Sequence, residues 1–185
     1  QELHEPLNPF DLPMCIVHAT YYRCLEGIVQ FGLVPGGSTG RGRCSVYFGT
    51  TPYRKGKVVG MREDAQVEIW LDLDKVRDAI LSNEKRFYRT GSGAVVCDDV
   101  IPFRYISRMT EVRFGWTLYK APESSGNWDT CKVCGVYQPV GTNICLQMDC
   151  MEPQNHSGRE DMLHAAKHRD LQEFQNLRLK YHCPS

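Results

Sequence analysis

The sequence carries no surplus of charge: 22 Lys and Arg stand against 22 Asp and Glu in 185 residues. A bulk positive field of the kind that non-specific nucleic-acid binders use is excluded, so any polyanion has to be gripped locally. Long apolar runs are missing too. The longest are roughly four residues, such as Ala94, Val95, Val96 and Cys97, against the ~20 that a membrane-spanning helix needs. Residues 1–13 lack the basic and then apolar layout of a secretory leader. These absences point to a soluble, intracellular protein, cytoplasmic or nuclear, with no membrane partner. At 42% hydrophobic and 24% charged residues the chain is not disordered as a whole, and its length fits one compact domain with a small appendage.

What the chain does have is cysteine, nine in all. An odd count in a chain long enough to build its own core favours a reducing compartment over a disulfide scaffold. Cys15, Cys24, Cys44 and Cys97 sit singly among apolar neighbours and read as core thiols. Cys131, Cys134, Cys145 and Cys150 crowd together as C-x2-C-x10-C-x4-C. Two short knuckles of thiolates facing across a loop suit a tetrahedral Zn²⁺, and a closed four-sulfur site leaves no position for substrate, so its role would be structural. His156 could replace one cysteine, and four unligated core thiols are the bland alternative; the polar, turn-like residues 137–143 speak against that one.

Along the chain, Pro6, Pro9 and Pro13 make residues 1–13 an extended arm, since proline removes a backbone donor and biases its predecessor away from the helical region. The apolar run of residues 14–17 suits a buried strand ended by His18, Ala19 and Thr20. Residues 23–31 place Cys24, Leu25, Ile28 and Val29 on one helical face, with Gly32 as the residue that ends the helix. Residues 34–42 are all turn chemistry and lead into a short strand at 45–48. Residues 66–73 alternate as a strand, and Asp74 caps a short helix to Leu81. Residues 87–97 read as strand, glycine turn and strand. In residues 111–120 Val112, Phe114, Trp116 and Leu118 alternate, predicting one further strand. The domain ends near Pro122. Residues 123–157 form the zinc-binding module behind a linker at 123–127. From a capping box at Ser157 and Glu160, residues 158–185 follow as an amphipathic helix marked by Leu163, Ala166, Phe174, Leu177 and Tyr181. His164 and His168 read as solvated on that helix, and Trp70 and Trp116 as packing residues.

One stretch breaks the charge balance. Arg41, Arg43, Arg54, Lys55, Lys57 and Arg62 follow one another with no acidic residue between them. Beside a glycine-rich loop, guanidinium forks and free backbone N–H groups suit phosphoryl oxygens. A solvated loop surface would explain the same charges.

The order of the pieces resembles a known family. His18, Ala19 and Thr20 after a short strand, the "I…GL" of Ile28, Gly32 and Leu33, and the strand from Arg43 to Tyr47 come first. Gly60, Met61 and Arg62 before an alternating strand, Phe87, Tyr88 and Arg89, and Ile101, Pro102, Tyr105 and Ile106 follow. Over residues 14–110 this looks like the NAD-binding lobe of the RNA 2′-phosphotransferases, within the ADP-ribosyltransferase superfamily. The resemblance implies an α+β fold of split antiparallel sheets with short helices and NAD⁺ in the cleft between them. It implies that His18 and Thr20, as the H-x-T, hold a ribose, that Gly32, Arg41, Arg43 and Tyr47 also bind NAD⁺, and that Arg62, His18 and Tyr47 serve catalysis. In that family an RNA 2′-phosphate displaces nicotinamide from its ribose, and the adjoining hydroxyl then captures the phosphate as a cyclic ester.

The departures from the pattern define the alternatives. The family's R-x-H-x-H strand reads Arg43, Ser45 and Tyr47 here, and Tyr47 resembles the nicotinamide-stacking tyrosine of H-Y-E ADP-ribosyltransferases. Their glutamate is absent, with Val95 and Val96 in its place, as in the phosphotransferases. The family's N-terminal winged-helix lobe, which supplies an Arg–His pair for RNA, has no counterpart in residues 1–13. Its docking role would pass to the zinc module and C-terminal helix or to a lobe in a longer polypeptide. The expected function is thus transfer of a nucleic-acid phosphate onto ADP-ribose, with NAD⁺ and phosphorylated RNA as partners. A mono-ADP-ribosyltransferase that stops after the first step, and a catalytically silent module for ADP-ribose, NAD⁺ or phosphorylated RNA, are the rivals.

Overall fold

A computed structural model of the chain describes residues 4–36, 44–52, 64–122, 128–131, 137–140, 142–143 and 145. The expected linker 123–127, the helix 158–185, the cations Arg41, Arg43, Arg54, Lys55, Lys57 and Arg62, and Cys134, Cys150, His156, His164 and His168 lie outside the described residues.

The architecture is α+β. Its strands are β1 (Glu5–Pro6), β2 (Val17–Thr20), β3 (Val46–Phe48), β4 (Val67–Leu71), β5 (Phe87–Arg89), β6 (Val95–Cys97), β7 (Ile106–Glu111), β8 (Thr117–Lys120), β9 (Trp128–Thr130) and β10 (Tyr137–Pro139), with helices α1 (Leu25–Phe31) and α2 (Leu73–Leu81). They form two four-stranded sheets, β1-β5-β6-β3 and β2-β4-β7-β8, and a separate β9–β10 hairpin. Every pairing is antiparallel. The consecutive strands β2 and β3 enter different sheets. The two sheets are stitched where Val17 and Gly49 exchange N–H···O bonds of 2.9 and 2.8 Å.

Period-two alternation gives each sheet one apolar face. Phe48, Phe87, Val95 and Cys97 from the first sheet join Val67, Ile69, Leu71 and Met109 from the second in a single core. Leu25, Ile28 and Val29 of α1 and Val76 and Ala79 of α2 pack into the same cluster.

Several local expectations need correcting. The first core strand is shifted: Met14 is 97% exposed, and the pairing runs from Val17 to Thr20, so His18 and Thr20 lie within a strand rather than after it. In the N-terminal arm only Glu5 and Pro6 pair, with Arg89 and Tyr88, as an edge strand that tolerates proline, and a turn follows in which Asp11 N–H donates to the Asn8 carbonyl. The cap of α2 is Asp72, whose carboxylate accepts from the Asp74 and Lys75 N–H groups; Asp74 already sits in the first turn. Residues 111–120 are not one strand. The alternation runs through a tight turn, because the buried Glu111 carboxylate accepts from the Arg113 and Phe114 N–H groups and Gly115 takes φ +76°. Of the four scattered thiols, Cys15 and Cys97 are buried, but Cys44 is exposed and Cys24 half-buried.

Two further contacts tie down the ends of α1 and β8. At the end of α1, Gly32 adopts φ +79° and ψ −167°, a region open in practice to glycine alone, and a Cβ there would stand 2.2 Å from the Ile101 carbonyl oxygen. This permits the Leu33–Ile101 bridge. On the far edge of the second sheet, Thr142 bridges to Tyr119, and Asn143 donates its backbone N–H to Leu118 and its side-chain amide to Thr117.

Candidate functional site

The seam between the sheets is where the H-x-T residues fall. His18 pairs with Ile69 across β2 and β4 and therefore shares the core-side face. Its ring stands edge-on to Phe48 at 5.9 Å and 65°, and its Nδ1 lies 2.9 Å from the Tyr47 carbonyl oxygen. A carbonyl can only accept, so Nδ1 carries the proton and the neutral ring has its lone pair on Nε2. One hydrogen bond to the opposite sheet thus fixes both the ring's orientation and its tautomer.

Thr20 is 5% exposed on the same face as His18. Around it Gln66 ties three segments together: its N–H donates to the Thr20 carbonyl, its side-chain oxygen accepts from Tyr22 N–H, and its own carbonyl accepts from Val112 N–H. Burial, with the negative Glu111 carboxylate nearby, holds the Tyr22 hydroxyl well above the usual phenol range. By the register Thr20, Val67 and the buried Glu111 share one face.

Tyr47 meets His18 through its backbone. Its side chain shares a face with Val96 and Tyr88, opposite to Phe48. Ser45, in the position of the family's first strand histidine, donates its hydroxyl to Asp98. Val95 and Val96 are fully buried. Gly32 is accounted for by its close approach to Ile101. The structure therefore brings His18, Thr20 and the Tyr47 backbone together, while Arg41, Arg43 and Arg62 lie outside the described residues. Glu111, Gln66 and Tyr22 were missed in the sequence; the one available signal was Glu111 two residues ahead of the turn at Arg113 and Phe114.

A family model for RNA 2′-phosphotransferases, described as the Tpt1 / KptA family, matches residues 1–99. The chain belongs to that family. The match covers more than half of the sequence and ends just after β6, so β7, β8 and everything beyond lie outside it. A search of curated proteins finds no match. The RNA 2′-phosphotransferase family assignment agrees with the two antiparallel sheets and short helices. No helix among the described residues is long and apolar enough to cross a membrane.

Of the four cysteines expected to hold a metal, two are among the described residues. Cys131, directly after β9, and Cys145, two residues beyond Asn143, are 1% and 0% exposed. Cys134 and Cys150 lie outside the described residues, among which no three His, Cys, Asp or Glu side chains gather around a metal position.

Proposed function

We propose that this chain transfers the 2′-phosphate of RNA to NAD⁺, releasing nicotinamide, with the seam between its two sheets as the NAD⁺ site. The observation that carries this reading is the lock between His18 Nδ1 and the Tyr47 carbonyl, which holds the imidazole of the H-x-T at the seam between the two sheets. NAD⁺ would supply a ribosyl carbon whose nicotinamide is ready to leave. What the protein then has to provide is position and cationic surroundings rather than a strong base. His18 and Thr20 orient the ribose, the Tyr47 strand lines the nicotinamide side, and Arg41 and Arg43 hold phosphate. Arg62, in the Gly-Met-Arg position, steadies the phosphate that moves.

The replacement of the family's strand histidines by Ser45 and Tyr47 favours one competing outcome, a reaction that stops with ADP-ribose attached to the acceptor. A single assay separates the readings. Incubation with NAD⁺ and a 2′-phosphorylated oligoribonucleotide should release nicotinamide and return dephosphorylated RNA. RNA that retains ADP-ribose would indicate the truncated reaction, and no nicotinamide at all would leave only a binding module. Arg62→Ala should abolish turnover while NAD⁺ affinity stays within a few-fold.

The C-terminal cysteines fit a structural zinc. Soft sulfur donors are the right chemistry, and Cys131 and Cys145 are withdrawn from solvent. Zinc would hold the β9–β10 hairpin and the 142–145 segment together beside β8. Chelation should then lower the melting temperature and release one zinc per chain; a metal-free protein of unchanged stability would contradict this.

A further inference from the structure

On the side of the second sheet opposite to His18, one cross-strand row runs through all four strands. Val17 pairs with Trp70, Trp70 with Arg108, and Arg108 with Lys120. Directly opposed residues share a face, so this row holds one aromatic ring and two adjacent cations. The Arg108 guanidinium lies 4.2 Å from the centre of the Trp70 ring, which fixes its plane. Among the described residues no carboxylate pairs with Arg108 or Lys120. Glu68, in the next row on the same face, is 4% exposed. Arg104, by contrast, is committed to Glu84, and Arg77 to Asp74. Arg108 is half-buried, and Lys120, one strand away, is exposed.

We propose that Trp70, Arg108 and Lys120 form a backbone-gripping surface for the RNA acceptor, binding successive phosphodiesters away from the 2′-phosphate that reacts. The proposal rests on RNA being the acceptor. A guanidinium held flat by an indole is pre-organised for phosphoryl oxygens, and a second cation one strand away suits the next phosphate. In a chain of zero net charge, an electrostatic grip has to be local, and this pair is local. The two cations lie on β7 and β8, beyond the matched family segment, whereas Trp70, on β4, lies within it.

The test is an anisotropy titration of a labelled single-stranded RNA, with one internal 2′-phosphate, over a range of salt. Against wild type, Arg108→Ala with Lys120→Ala should weaken binding roughly tenfold at low salt and flatten the log–log salt slope by about 1.4, the value for two single-strand phosphate contacts. Arg108→Lys keeps the charge without the fork and should fall between them. Lys120→Glu, at an exposed position, guards against a folding artefact and should weaken binding at least as much as its alanine variant. Unchanged affinity and slope in the double variant, or a wild type that does not bind the RNA, would overturn the proposal. Nicotinamide release by wild type is scored separately: RNA binding through the row without release sinks the transferase reading alone, and release with row-independent binding sinks this one alone.

Discussion

The two sheets are alike on their inner faces and different on their outer ones. Inside, both present buried aliphatic and aromatic residues to one cluster, Phe48 and Val95 from the first and Ile69 and Met109 from the second. On its opposite face the first sheet carries the row Pro6, Tyr88, Val96 and Tyr47, without a charge and with Val96 fully buried. The second carries Val17, Trp70, Arg108 and Lys120, with two charges. The inner faces are set by volume and hydrophobicity and would serve many chemistries, whereas the outer rows differ in what they can recognise. The proposed activity sits where the sheets meet, at a ring that belongs to one and is oriented by a carbonyl of the other.

The largest way to break the comparison is to empty the shared core. Phe48→Ala removes a fully buried ring and should cost about 3–5 kcal/mol in urea unfolding. Tyr88→Ala, on the outer row of the same sheet, should cost less than half of that; equal losses would mean that the outer row is core as well. Gly32→Ala meets both a glycine-only backbone region and the Ile101 carbonyl, so about 3 kcal/mol should be lost. An unchanged midpoint would show that the close approach of Gly32 to Ile101 contributes nothing to stability.

Next in size is a pH effect inside the first sheet. Burial pushes the Cys97 thiol up from 9.0 to about 11. Between those values the unfolded chain gives up the proton while the folded one keeps it, so stability falls as pH rises through that window and is unaffected below it. The loss should reach about 2–3 kcal/mol. Cys97→Ala should flatten the profile between about pH 9 and 11; a profile as steep as wild type would assign the loss to other groups, such as Tyr22, whose raised pKa acts in the same direction at higher pH. The smallest effect is expected on the second sheet's outer row. Arg108→Ala should change stability by about 1 kcal/mol or less, the scale of an exposed cation–π contact, which would separate its role in binding from any role in folding.

Much of this was legible in the sequence because the periodicities are local. The alternation of Val67, Ile69 and Leu71, the face of Leu25, Ile28 and Val29, and the glycine turn of residues 90–94 each carry their own signal. Errors arose where a local pattern ran across a non-local event. Val112 and Phe114 continue the alternation of their neighbours, yet the chain turns there because Glu111 ties up two backbone N–H groups. Asp72 and Asp74 are both plausible caps, and only the position of the first helical turn decides between them. Glu5 and Pro6 gave no strand signal, since an edge strand needs only one hydrogen-bonding side. The H-x-T order was readable, but the tautomer of His18 was not, because its partner is a carbonyl 29 residues away. The Trp70, Arg108 and Lys120 row exists only once the register is known.

The most direct test of the central claim is the imidazole nitrogen spectrum of ¹⁵N-histidine-labelled protein during titration with NAD⁺, with the His18 signals assigned by His18→Asn. The account predicts a protonated Nδ1 that stays protonated throughout and an Nε2 resonance that moves as NAD⁺ binds. A His18 spectrum left unchanged by saturating NAD⁺ would contradict it.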